Sequence, residues 1–184
     1  MRHGRPTLRY SHTPWKWLRA GELNALLDAY DEAGLHPTWN REQLTGKIQA
    51  RPIASDLPRA LETAALYSDW PIDQIEISPL LREVPLARFR WTGLRLPTLI
   101  LLTLTRLGWL TGWMRSAERR PATRLRVKAA ADLIETRCRE HTHLAVYSHG
   151  FFLWLLGREL HRRGWQSAGI GPYRYLQAIE FTRA

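Results

Sequence analysis

The sequence predicts an α/β protein built on an open, mostly parallel sheet, with its reactive residues at the carboxyl edge. Three observations predict this. Short apolar runs alternate with stretches of helical periodicity, the order expected of strand–helix units. Groups of reactive side chains stand where those runs end, the position at which open α/β sheets bind ligands. The chain has 184 residues, 45% hydrophobic and 24% charged, without internal repeat or low-complexity linker, which suits one core and one domain over 1–184.

The elements follow in order. Arg5 to Trp17 reads as a loop from Pro6, Ser11, Thr13 and Pro14, with Trp15 and Trp17 as anchors. Between Gly21 and Ala33, Leu23, Leu26, Leu27 and Tyr30 recur at helical spacing, and Gly34 stops the pattern. A polar loop through His36, Pro37 and Asn40 runs to about Lys47. Within Ile48 to Ser55, Pro52-Ile53-Ala54 reads as a buried strand, and it passes into a helix from Asp56 to about Ser68. Pro58 suits that helix's first turn, where its missing N–H costs nothing. Ile75-Glu76-Ile77 is a second strand, followed by a loop from Leu80 to Leu86 that carries Glu83. Thr123 to Glu140 is helical, with Val127, Ala130, Ala131, Ile134 and Cys138 on one face. Leu144 to Tyr147 is a compact strand, and Ser148-His149-Gly150 turns from it into a helix running from about Phe152 to Arg163. Tyr173 to Thr182 alternates weakly and reads as a closing edge strand.

Charge narrows the partners. With 27 Lys plus Arg against 17 Asp plus Glu, the net charge is +10, so a phosphorylated metabolite, nucleic acid or an anionic membrane is expected. The arginines are dispersed rather than interleaved with aromatics, which speaks against nucleic acid. Cys138 is the single cysteine, which fits a reducing compartment. Met1-Arg2-His3 leads into no apolar run, so a secretory signal is not expected and a cytoplasmic location is.

Four short stretches carry chemistry: Arg2-His3-Gly4, Ser55 to Ala64, Leu81-Arg82-Glu83 and Ser148-His149-Gly150. Together they supply two histidines, two arginines and a carboxylate, a set able to handle a phosphoryl group through a covalent histidine intermediate. In this order the stretches resemble the histidine phosphatase superfamily, which includes cofactor-dependent phosphoglycerate mutase. Arg2-His3-Gly4 is similar to its opening signature, and Ser55, Leu57, Arg59, Ala60, Thr63 and Ala64 to its second motif. Glu83 resembles its acid/base position and Ser148-His149-Gly150 its closing one.

The resemblance implies a three-layer phosphoglycerate mutase-like sheet with helices on both faces, and a role for each residue. His3 is the nucleophile, Arg2 and Arg59 meet the phosphoryl oxygens with bidentate hydrogen bonds, and His149 donates to them. Glu83 protonates the leaving oxygen and then deprotonates water. The scheme needs no metal and no cofactor. His12, His36, His141, His143 and His161 keep the ordinary reading of solvated or satisfied residues. Glu118 resembles a glutamate that often follows the insertion in related phosphatases, and reads equally as a solvated charge beside Arg119 and Arg120.

Two departures matter. Only Met1 precedes Arg2-His3-Gly4 where relatives have a whole strand, so a truncated central strand, or a start upstream, is expected. Where the mutases carry an asparagine phosphate ligand six positions after the nucleophile, this chain has Arg9, taken here as a further phosphate ligand. That exchange and the short chain favour a phosphatase acting on a phosphomonoester over a phosphoryl-transferring mutase. A catalytically weak binding or membrane-associated module is the non-enzymatic alternative.

Leu94 to Met114 is strongly apolar: Leu96 to Trp113 is 18 residues with one charge, Arg106. A central arginine costs about 2.5–3.5 kcal/mol on insertion, and Pro97, Gly108 and Gly112 interrupt the run, so a span is not expected. The expectation is a helical insertion over 88–120 that covers the pocket as a lid, favouring a small phosphorylated substrate with a hydrophobic body. The same stretch could pair with a second subunit in a homodimer. It could also make peripheral membrane contact, with Trp109 and Trp113 at the interface and Arg115, Arg119 and Arg120 toward lipid.

Overall fold

The structure, a computed structural model, describes residues 1–8, 15–43, 46–89, 93, 95–114, 116–169 and 171–183. In chain order its elements are β1 (Trp17–Arg19), α1 (Ala20–Glu32), α2 (Pro37–Glu42), β2 (Arg51–Ala54), α3 (Pro58–Tyr67), β3 (Glu76–Ile77), β4 (Arg95–Pro97), α4 (Thr98–Thr111), α5 (Arg120–Glu140), β5 (Leu144–Tyr147) and α6 (Gly150–Arg162). The main sheet has the order β3-β2-β5 with every pair parallel, and Ile53 stands opposite both Glu76 and Val146.

Period-two alternation sends the strand residues to two cores. Ile53, Leu144 and Val146 point to the face covered by α5 and α6, where they meet Ile134, Phe152 and Leu156. Ala54, Ala145 and Tyr147 point to the opposite face and meet Ala64 and Tyr67 of α3. Helices therefore cover both faces, the three-layer arrangement the sequence predicts. Each fully buried Ile, Leu or Phe in these layers contributes about 1.5–3 kcal/mol.

Met1 to His3 extends the sheet beyond β5. Ser148 N donates to Met1 O at 3.1 Å, His3 N donates to Ser148 O at 2.9 Å, and Arg2 pairs with Ser148 in parallel. The outer side of this short stretch is closed by Arg2 N donating to Gln177 O at 3.0 Å. Residues 173–182, expected as an edge strand, are irregular instead, with only Thr182 bridged to Gln166. The segment is irregular because it is bent across the N-terminal stretch, with Leu176 at φ 60°.

Two further expectations are corrected. The loop after His36 contains α2, whose first turn begins at Pro37 and whose Trp39 N–H is capped by the His36 ring. Trp15 and Trp17 are not anchors, being 69% and 55% exposed. Trp17 instead lies in β1, which pairs antiparallel with β4, 80 residues on, through Trp17↔Pro97 and Arg19↔Arg95. The apolar stretch becomes β4 and α4, and packs with α1 in a third cluster of Leu23, Leu27, Phe89 and Leu101. Among the described residues no helix is long and apolar enough to cross a membrane.

Candidate active site

The strands end side by side, so the residues just beyond them converge. Ser55 follows β2, Ser148 and His149 follow β5, and His3 ends the N-terminal stretch. Ser148 is held by its Oγ donating to Leu81 O at 2.6 Å, which draws the Glu83 loop to the same edge.

His3 is almost wholly buried. Its Nδ1 lies 2.7 Å from Gly4 O. A carbonyl oxygen only accepts, so Nδ1 carries the proton and Nε2 keeps the lone pair. Burial, then the guanidinium groups of Arg59 and Arg2, hold the His3 pKa well below the ordinary histidine range, so the ring is neutral. Gly4 N donates to Thr63 Oγ1 at 2.9 Å, and Thr63 Oγ1 donates to Arg59 O at 2.6 Å, which ties the strand carrying His3 to α3.

The His149 ring lies 4.9 Å from the His3 ring, tilted by 56°. Its Nε2 is 3.0 Å from Ser55 Oγ, while its buried Nδ1 has no hydrogen-bond partner among the described residues. Burial, and then the charge His3 would carry, lower its pKa too, with Arg59, Arg2 and Arg126 adding to the effect.

Arg59, fully buried, donates from Nη1 to Tyr30 O at 2.9 Å and Asp31 O at 3.1 Å, and from Nη2 to Asp31 Oδ1 at 3.3 Å. Arg2 donates to Tyr173 O at 2.5 Å and lies 4.2 Å from the Tyr175 ring centroid. In both arginines the buried Nε lacks a protein partner among the described residues. Buried polar atoms are nearly always satisfied, so three such nitrogens around one pair of histidines mark a place for a hydrogen-bond acceptor.

Glu83 is bound at the start of α6. Its Oε1 accepts from Val84 N at 2.9 Å and Phe152 N at 2.9 Å, and its Oε2 from Phe151 N at 3.3 Å. The carboxylate thus caps the positive end of that helix while lining a cavity of about 580 Å³ with Arg2, His3 and Arg59. Arg82, beside it, also lines the cavity and makes a bidentate pair with Asp56.

The structure therefore brings together His3, His149, Arg2, Arg59 and Glu83. Arg9 and His12 lie outside the described residues. Glu118, read two ways from sequence, is not a solvated charge: it lines the cavity and makes a bidentate pair with Arg126 at 2.6 and 2.8 Å. Arg126 also donates to Leu80 O and Arg82 O, so the pair fastens the Glu83 loop to α5. Asp31 and Tyr175 were not visible as site residues, because their contacts depend on α1 and the C-terminal segment folding back over distant motifs. Ser55 had a signal, its place in the second motif, but no assigned role. Among the described residues no group of three or more His, Cys, Asp or Glu is arranged to hold a metal ion.

The family model described as histidine phosphatase superfamily (branch 1) matches residues 35–177, most of the chain, and the chain belongs to that family. No curated protein matches it. Among solved structures, a mycobacterial glucosyl-3-phosphoglycerate phosphatase aligns with a TM-score of 0.54 at 20% identity, over 88% of this chain and 77% of its own. A candidate alpha-ribazole-5'-P phosphatase from Escherichia coli K-12 aligns with a TM-score of 0.53 at 19% identity, over 87% and 77%. At such identities the likeness establishes the shared fold.

Proposed function

We propose that this member of the histidine phosphatase superfamily hydrolyses a small phosphomonoester through a covalent phosphohistidine on His3. The observation that carries the reading is the buried, neutral His3, its Nδ1 tied to Gly4 O, beside a histidine and two arginines with unpartnered buried nitrogens. In the first step His3 Nε2 attacks phosphorus, an N–P bond forms and the ester O–P bond breaks. Glu83, protonated, gives its proton to the leaving oxygen. In the second step Glu83 takes a proton from water as the water oxygen attacks phosphorus, the N–P bond breaks and inorganic phosphate leaves. Arg2, Arg59 and His149 meet the charge on the equatorial oxygens.

The substrate reading rests on the cavity wall. Leu27, Leu57, Val84 and Leu86 line it along with the arginines, which supports a phosphate ester with an apolar body. Arg106 of α4 reaches the same wall, so the insertion over 88–120 acts as a partial cover. The names of the structural relatives support a small phosphorylated substrate. The test is release of inorganic phosphate from a panel of phosphomonoesters by the intact chain and by His3→Ala. Phosphate release that vanishes in His3→Ala supports hydrolysis. Transfer to a second position on the substrate without phosphate release would make the protein a mutase, and no turnover by the intact chain would leave a binding module.

A further inference from the structure

The 14-residue helix α4 has one charge, Arg106, and apolar residues on both its faces, yet the fold covers only one of them. Leu101, Thr105, Gly108 and Trp109 are buried, whereas Leu99, Ile100, Leu107 and Leu110 are exposed along the opposite face. A helix that is hydrophobic all round is ordinarily enclosed. Two exposed threonines of the helix satisfy their hydroxyl donors internally: Thr103 Oγ1 donates back to Leu99 O at 2.8 Å and Thr111 Oγ1 to Leu107 O at 2.9 Å. Exposed tryptophans stand at both ends, Trp17 beside the helix start through its pairing with Pro97, and Trp113 just past the end.

Charge selects what covers this face. From Val84 to Ala117 the sequence has no Asp or Glu but contains Arg88, Arg90, Arg95, Arg106 and Arg115. Exposed cations flank the described helix at both ends: Lys16, Arg19 and Arg95 on the β1–β4 ribbon, and Arg119, Arg120 and Arg124 beyond Trp113. Arg120 reaches back to the helix end, donating to Leu110 O at 2.6 Å. Arg119, Arg120 and Arg124 also line a groove of about 600 Å³ with Trp109 and Trp113. A second copy seated on the face would bring like charges together. An apolar strip bounded by tryptophans and cations has the form of an interfacial helix on anionic lipid.

We propose that α4 and the β1–β4 ribbon form a peripheral docking surface for an anionic bilayer, with Leu99, Ile100, Leu107, Leu110 and Trp113 entering the headgroup boundary. This docking is independent of the phosphatase reading. Arg106, between Thr103 and Leu110 on the helix, also lines the catalytic cavity, so docking would hold the cavity's mouth near the lipid surface.

The experiment is co-sedimentation of the full chain with phosphatidylcholine vesicles, with and without phosphatidylglycerol, at low and high salt. Binding is expected only with phosphatidylglycerol and is expected to weaken with salt. Leu107→Glu should reduce partition roughly tenfold or more, and Arg119→Gln with Arg124→Gln together by about 25-fold, about fivefold per cation. An unchanged circular dichroism spectrum and an unchanged melting temperature show that the variants fold. The proposal is overturned by absence of vesicle binding, or by binding that Leu107→Glu leaves unchanged. It is equally overturned if sedimentation velocity shows a dimer that Leu107→Glu dissociates while vesicles go unbound.

Discussion

At the residue scale, the site's main physical property is that two histidines are kept neutral by burial and by neighbouring guanidinium groups. Both pKa values fall below the ordinary 6.5, so at mildly acidic pH the native state binds fewer protons than the unfolded chain. Their contribution to stability is fully present above about pH 6.5 and is lost as pH falls toward the folded values. One unit below the ordinary value, the loss reaches about 1.4 kcal/mol per histidine. Denaturant unfolding at about pH 7.5 and about pH 5.5 should show it, and His149→Gln should flatten the dependence; a variant with the same slope as the parent would contradict this. In the proposed mechanism Glu83 has two separable duties, proton transfer and capping of α6. Glu83→Gln keeps one oxygen for Val84 N and Phe152 N, gives up the oxygen that accepts from Phe151 N, and loses proton transfer, so turnover should fall about 10²–10⁴-fold with only part of the cap lost. Glu83→Ala should lose the same turnover and, in addition, about 1 kcal/mol of stability through the lost cap. Equal unfolding midpoints for the two variants would rule out the capping role.

At the scale of elements, α2 holds the chain beside His3, the proposed nucleophile, through one side chain. Buried Asn40 accepts from Arg5 N at 2.9 Å and donates to Arg5 O at 2.9 Å and His36 O at 2.7 Å, gripping the chain just after His3. A Cβ on Gly4 would lie 2.1 Å from Asn40 Oδ1, so the close approach requires glycine. Asn40→Leu removes the side-chain acceptor of Arg5 N and one of two donors to Arg5 O, which keeps the His36 N–H, and should cost about 1–3 kcal/mol as well as lowering turnover. Calorimetry with a phosphate-release assay checks both; full activity in this variant would show that α2 does not set the position of His3. On the opposite layer, Arg163 bridges α5 and α6 through Asp132, Glu135 and Glu159. Hydrogen bonds from Arg162 and Arg163 hold the Glu159 pKa at about 2. Arg163→Met takes one cationic partner from Glu159, which keeps Arg162, and one from Glu135, which keeps Arg183, and breaks the bridge between α5 and α6, so it should lower the melting temperature. It should also reduce the acid sensitivity seen as pH falls from 4.5 toward about 2. No change in either would assign the seam to apolar packing alone.

For the whole molecule, what the sequence made legible follows physical locality. The helices α1, α3, α5 and α6 announce themselves because apolar residues recur within each segment. Strands β2 and β5 do so because they are buried on both faces and read as apolar runs. The site was legible through its four motifs, since a phosphoryl-handling set needs particular side chains at strand ends. What was hidden depends on distant partners. The ribbon β1–β4 exists because Trp17 finds Pro97, the 173–182 segment is irregular because it serves Arg2 and His3, and Asp31 enters the site only when α1 packs under Arg59. Local propensity carries no trace of such pairings.

The most direct test of the account is rapid mixing of the protein with a hydrolysable phosphomonoester, followed by quenching and mass spectrometry of the peptide containing residue 3. The account predicts a phosphate mass on His3 that appears within the first turnover, persists longer in Glu83→Gln and is absent from His3→Ala. Turnover without any phosphate on His3, or phosphate on another side chain, would contradict it.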